Sequence, residues 1–102
     1  ITTVTPYKTF NEALSMCNES RYGLQAGVFT NSIQHMQQAF EELEFGGILI
    51  NDIPTFRLDH LPYGGMKASG CGREGVQYAM EEFSEMRVHT FRRMPIGGPR
   101  EN

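Results

Sequence analysis

The run from Asn51 to Gly75, NDIPTFRLDHLPYGGMKASGCGREG, constrains the fold of this 102-residue chain more than any other feature. Gly64, Gly65, Gly70, Gly72 and Gly75 fall within it, beside Pro54, Pro62 and Lys67. Glycine at that density marks backbone held in unusual conformations, or approached too closely for a side chain. The run therefore reads as a long ordered loop. A loop of that length is uncommon in a compact domain unless it serves a function.

The elements around the loop follow from local signals. Ile1 to Thr5 is strand-like, and a chain that opens inside an element looks like a piece of something longer. Thr9-Phe10-Asn11-Glu12 is a capping box, in which hydroxyl and carboxylate each satisfy an orphan N–H. Phe10, Ala13, Leu14 and Cys17 continue it at helical spacing, with an end expected between Asn18 and Arg21. Ala26 to Thr30 predicts a buried strand. Thr30, Asn31 or Ser32 can cap a second helix with the stripe Ile33, Met36, Phe40 and Leu43. Gly46-Gly47 stop that helix, and Ile48 to Ile50 predict a strand apolar on both faces.

Strand, helix, strand, helix, strand with continuously apolar strands is the pattern of a parallel sheet covered on both sides, an α/β fold. Ligands in such sheets sit outside the carboxyl ends of the strands. The strand ending at Ile50 delivers the chain there, straight into the Gly-rich loop. Beyond it, Val76, Ala79, Met80 and Phe83 predict a third helix, with Glu74 placed for its N-terminal dipole. Met86 to Arg92 alternates like a strand. The tail, 94–102, carries Pro, Gly and charge without periodicity and is expected to be disordered.

An apolar share of 39% with 21% charged residues is ordinary globular composition for one domain at most. A net charge of −3 gives no basic stripe for a nucleic acid. No apolar run is long enough for a membrane-spanning helix and no signal peptide is visible. Cys17 and Cys71 are too few and too far apart for a disulfide framework or a zinc knuckle, so free thiols in the cytoplasm are expected.

Several short patterns fail when weighed physically. Gly70-Cys71-Gly72-Arg73-Glu74-Gly75 has the G-x-G-x-x-G spacing, yet no strand immediately precedes it and no acid follows at the ribose distance. Lys67 lacks the spacing of a phosphate loop, leaving a structural tether or a surface charge. His35, on the polar face of the second helix, and His89 have no metal-ligand partner. Asp59-His60 has no nucleophile in a defined relation to it, Ser69 included. Cys71 lies near a helix start, which can lower a thiol pKa, but glycine packing explains it as well. The residues alone give a βαβαβ piece and a functional loop, with no catalytic or metal set.

Four segments together resemble the C-terminal part of the aldehyde dehydrogenase superfamily: Asn18 to Leu24, Ala26 to Thr30, Gly46 to Asn51, and PYGGMKASGCGREG from Pro62. They run in the family's order and spacing from Ile1 to about Arg92. The resemblance implies the C-terminal βαβαβ portion of the catalytic domain over residues 1–85. A bridging strand of an oligomerisation arm is implied over 86–93. It also implies a parent enzyme that oxidises an aldehyde with NAD or NADP, through a thiohemiacetal and a thioester on a Cys. That Cys, the general-base Glu and most cofactor contacts would lie before Ile1, so this piece would be inactive alone.

Residue by residue, Leu24 matches the family position near the nicotinamide. Asp52, Phe56, Arg57 and Tyr63 match the loop lining the aldehyde entrance, with Tyr63 where an aromatic wall stands. Asn51, Gly64 and Gly65 match positions that support the active-site backbone. The PTFRLDHLPYGG form looks like branches acting on small hydroxy- or phospho-aldehydes. Arg57 then either binds an anionic group bidentately or forms a salt bridge with Asp59. Implied partners are the rest of the parent chain, a small aldehyde, and further copies in a dimer or tetramer. Two other readings remain open at this stage: a non-enzymatic assembly module that retains the fold, and a phosphate or nucleotide pocket formed by residues 64–75.

Overall fold

The computed structural model describes residues 1–93. The disordered tail expected over 94–102 lies outside the described residues. Helix α1 covers Phe10–Asn18, strand β1 Tyr22–Gly23, β2 Gln25–Val28, helix α2 Ile33–Glu42, β3 Gly47–Ile50, β4 Met66–Lys67 and helix α3 Val76–Glu82.

The two long helices start where their caps predict. The Thr9 hydroxyl accepts the Glu12 N–H at 3.2 Å. The Glu12 carboxylate reaches one residue further back than a capping box requires, to the Lys8 N–H at 2.7 Å. Of the three candidates for α2, Ser32 is the cap, its hydroxyl accepting the His35 N–H at 3.3 Å. Thr30 supports it by accepting the Ser32 N–H at 3.1 Å.

Strands β2 and β3 pair in parallel across α2, with Gln25 opposite Gly47 and Val28 opposite Ile50. This is the α/β unit the apolar strands predict. Strands β1 and β4 form a short antiparallel pair, Tyr22 opposite Lys67 and Gly23 opposite Met66, which ties the Gly-rich loop to the turn after α1. A core of Leu14, Ala39 and Leu43 joins α1 to α2, and Phe10, Ala26, Val28, Phe45 and Ile48 pack against it. Burying Leu14 and Leu43 contributes roughly 1.5–3 kcal/mol each.

Several expectations need correction. Ile33 and Phe40, placed in the buried stripe of α2, are 77% and 76% exposed, and the completely buried residue is Ala39. A small side chain sits there because α1 approaches that face closely. His35 is not on a free polar face: its ring stacks on Phe10 with centroids 4.2 Å apart. Helix α3 forms, but no residue of it is buried, and Val76, Met80 and Phe83 face solvent.

Neither Ile1 to Thr5 nor Met86 to Arg92 forms a strand. Alternation supplies a face, but a strand also needs a neighbour for its backbone hydrogen bonds, and among the described residues none pairs with either segment. The first strand of the expected βαβαβ run is therefore absent.

Candidate functional site

The turn after β3 begins at Asn51, whose φ of 57° is left-handed. Asn is among the few side chains that tolerate this region. Its backbone N–H donates to the Val28 carbonyl at 2.8 Å, and its Oδ1 accepts the Thr30 N–H at 2.8 Å. One residue thus fastens the carboxyl end of β3 to that of β2.

From Asp52 the chain folds back beside β3 instead of capping the sheet. A Cβ on Gly27 would meet the Asp52 carbonyl oxygen at 2.5 Å, so the close return needs glycine there. The Gln25 amide then donates to the Phe56 carbonyl at 3.2 Å and holds the middle of the loop. The result is a cleft of about 410 Å³ running along β3 from Gly47 to Ile50. Asp52, Phe56, Arg57, Leu58, Leu61, Pro62 and Tyr63 form its other wall. The cleft reaches the carboxyl end of β3 at Ile50 and Asp52, and extends back along the strand because the loop doubles back beside it.

All four residues matched to the aldehyde entrance, Asp52, Phe56, Arg57 and Tyr63, line this cleft. The Arg57 guanidinium lies over the Tyr63 ring, 4.3 Å from its centroid, and pairs with the Glu74 carboxylate. The salt bridge to Asp59 considered above is not formed; Glu74, 17 positions away, takes that place. The reason is backbone pairing: Tyr63 and Glu74 exchange hydrogen bonds of 3.1 and 2.6 Å, which sets Glu74 beside the ring that Arg57 covers. Glu74 is thus committed to Arg57, in addition to any part it plays at the start of α3.

Leu24, Gly64 and Gly65 line a second cleft of about 360 Å³ on the far side of Tyr63, together with Ser69, Cys71 and Arg73. Tyr63 is the partition between the two. The glycines allow close stacking of backbone: a Cβ on Gly46 would fall 1.7 Å from the Gly64 carbonyl oxygen, and one on Gly65 would fall 2.4 Å from Ser69 Cβ. The Ser69 hydroxyl accepts the Gly23 N–H at 2.9 Å, and Arg73 donates to the carbonyls of Gly65 and Gly72 at 3.0 and 2.8 Å.

Lys67 proves to be a tether. Its ammonium donates to the carbonyls of Asn18 and Ser20 at 2.9 and 3.0 Å and pairs with Glu44 at 3.0 Å. It thereby satisfies carbonyls at the end of α1 and anchors the loop. Cys17 and Cys71 are free and exposed. Among the described residues no group of His, Cys, Asp and Glu is arranged to hold a metal, and no helix is long and apolar enough to cross a membrane.

Sequence reasoning missed Gln25 on the first cleft and Glu74 as the partner of Arg57. Gln25 precedes the strand read as Ala26 to Thr30, and no local spacing rule links Glu74 to Arg57.

The family profile described as "Aldehyde dehydrogenase family" matches residues 1–89, and the chain belongs to that family. Over 81 residues it is 53% identical to a lactaldehyde dehydrogenase of Methanococcus maripaludis, covering 79% of this chain and 17% of that protein. A 3-sulfolactaldehyde dehydrogenase of Priestia aryabhattai is 48% identical over 85 residues, 83% of this chain and 18% of the relative. The crystal structure of the glyceraldehyde-3-phosphate dehydrogenase GapN from Methanocaldococcus jannaschii, complexed with NADP, superposes with a TM-score of 0.71 at 51% identity. That match covers 74% of this chain and 16% of the other. The chain therefore spans less than a fifth of the length of each of these relatives.

Proposed function

We propose that this chain forms the substrate-entrance wall of an NAD(P)-dependent aldehyde dehydrogenase acting on a small hydroxy- or anion-bearing aldehyde. The observation that carries the reading is the cleft beside β3, where Asp52, Phe56, Arg57 and Tyr63 converge in a chain that matches the family over residues 1–89. An apolar strand and two aromatic rings suit a short carbon chain, and the polar groups of Gln25, Asp52 and Arg57 suit its substituents. The names of the similar proteins point the same way: lactaldehyde carries a hydroxyl, 3-sulfolactaldehyde adds a sulfonate, and glyceraldehyde 3-phosphate a phosphate.

In this reading a cysteine thiolate outside the chain adds to the aldehyde carbon. A bound nicotinamide cofactor would supply the acceptor for the hydride of that carbon, and water would release the acyl group as the carboxylic acid. Leu24, 38% exposed on the second cleft, offers an apolar face to its ring. Asn51, Gly64 and Gly65 keep the surrounding backbone in place. Residues 86–93, with Met86, Val88 and Phe91 at least 81% exposed, pair with a strand of a neighbouring subunit in a dimer or tetramer in the cytoplasm. Those exposed apolar residues equally suit the alternative, an assembly module without activity.

The test is the full-length parent protein incubated with lactaldehyde, 3-sulfolactaldehyde and a wider aldehyde panel with NAD⁺ or NADP⁺. Reduced nicotinamide and one equivalent of acid are expected. No turnover across the panel refutes the enzyme reading and favours the assembly module.

A further inference from the structure

We infer that Glu74 is an internal competitor for Arg57, occupying the guanidinium that an anionic substrate group must claim, and so sets the charge preference of the cleft. The inference deepens the reading of Arg57 as the anion-binding residue and rests on it.

Arg57 is held by two independent contacts. Its guanidinium stacks over Tyr63, 4.3 Å from the ring centroid, and it pairs with the Glu74 carboxylate. The contact with the ring face does not depend on the carboxylate, because cation–π attraction needs only the ring. The Glu74 backbone is held beside Tyr63 by hydrogen bonds of 3.1 and 2.6 Å, which keeps its carboxylate within reach of Arg57 while leaving the side chain free to turn away.

Asp52, the acid that lines the cleft itself, does not share this role. Asp52 turns its Oδ1 to the N–H of its neighbour Ile53 at 2.8 Å. With Glu74 in place the cation is neutralised in advance, and a sulfonate, phosphate or carboxylate gains little by entering. Displacing the carboxylate is cheap, because the Arg57 and Glu74 side chains are 50% and 63% exposed, and ion pairs so exposed are weak. The arrangement thus admits an anionic substrate without excluding a neutral one.

The experiment compares KM and kcat of the full-length parent protein for lactaldehyde and 3-sulfolactaldehyde, which differ by one sulfonate, across wild type, E74Q, E74D and R57Q. E74Q is expected to lower KM for the sulfonate by about threefold to fivefold, the strength of an exposed ion pair, with KM for lactaldehyde little changed. Inorganic sulfate should become a correspondingly stronger inhibitor of lactaldehyde oxidation. E74D, which keeps the charge, should restore the wild-type ratio of the two KM values. R57Q should raise KM for the sulfonate alone. If R57Q has that effect while E74Q leaves the ratio unchanged, or shifts both KM values together, the role of Glu74 is overturned and Arg57 stands. If neither variant moves the ratio, the Arg57 reading falls as well.

Discussion

Replacing Lys67 with Met tests how the Gly-rich loop is held. Methionine keeps the length and apolar stem, and it inherits the same left-handed backbone, φ 53° at this position. Only the ammonium is removed. Two charge-assisted hydrogen bonds, to Asn18 and Ser20 at 2.9 and 3.0 Å, are lost together with the Glu44 pair. Hydrogen bonds from a charged donor contribute about 1.5–3 kcal/mol each, but Ser20 is exposed and Asn18 only half-buried, so the freed carbonyls regain water in part. The Glu44 side chain is 59% exposed, so that pair contributes little. A net loss of about 2 kcal/mol follows, and it is local to the attachment of β4. The reporting amides are those of Ala68, which donates to the Arg21 carbonyl at 3.0 Å, and Ser69, which donates to Met66 at 3.1 Å. Hydrogen exchange on the full-length parent protein, read by mass spectrometry over peptides spanning 64–70, should show protection falling about thirtyfold. Lys67→Arg, which retains the charge, should lose far less. Unchanged exchange in Lys67→Met would refute the tether.

Two further substitutions test the backbone of the site. Asn51→Ala removes the hydrogen bond to Thr30 and places alanine at positive φ, for a loss of about 2–3 kcal/mol. Asn51→Gly removes only the hydrogen bond, so its denaturation midpoint should lie between those of Asn51→Ala and the wild type; the reverse order would contradict the argument. Gly46→Ala drives a Cβ to 1.7 Å from the Gly64 carbonyl oxygen, a clash of backbone with backbone that no rotamer relieves. It should cost several kcal/mol, about 3 or more, and leave little soluble parent protein, as judged by size-exclusion chromatography. Gly70→Ala, with nothing within 4 Å of the added Cβ, meets only the strain of φ 119° and should remain soluble.

The parts of this structure legible in the residues are those settled over a few positions. Thr9 and Ser32 announce their helices because a cap is a contact between residues three apart. The pairing of Gln25–Val28 with Gly47–Ile50 follows from two apolar runs separated by a helix. The glycines of the loop signalled close approach before any neighbour was known. The resemblance grouped Asp52, Phe56, Arg57 and Tyr63, and the four line one cleft.

Other features emerge only once distant segments meet. Ala39, not Ile33 or Phe40, faces the core because the approach of α1 selects which side of α2 is covered, and periodicity leaves that choice open. Arg57 takes Glu74 and not Asp59 because a two-residue bridge at Tyr63 brings chain 17 positions away to its side. Met86 to Arg92 has the alternation of a strand, yet forms none, since a backbone ladder requires a second strand and alternation cannot supply it. Composition and spacing specify what each segment is able to do; the free energy of long-range contacts selects which of those possibilities is realised.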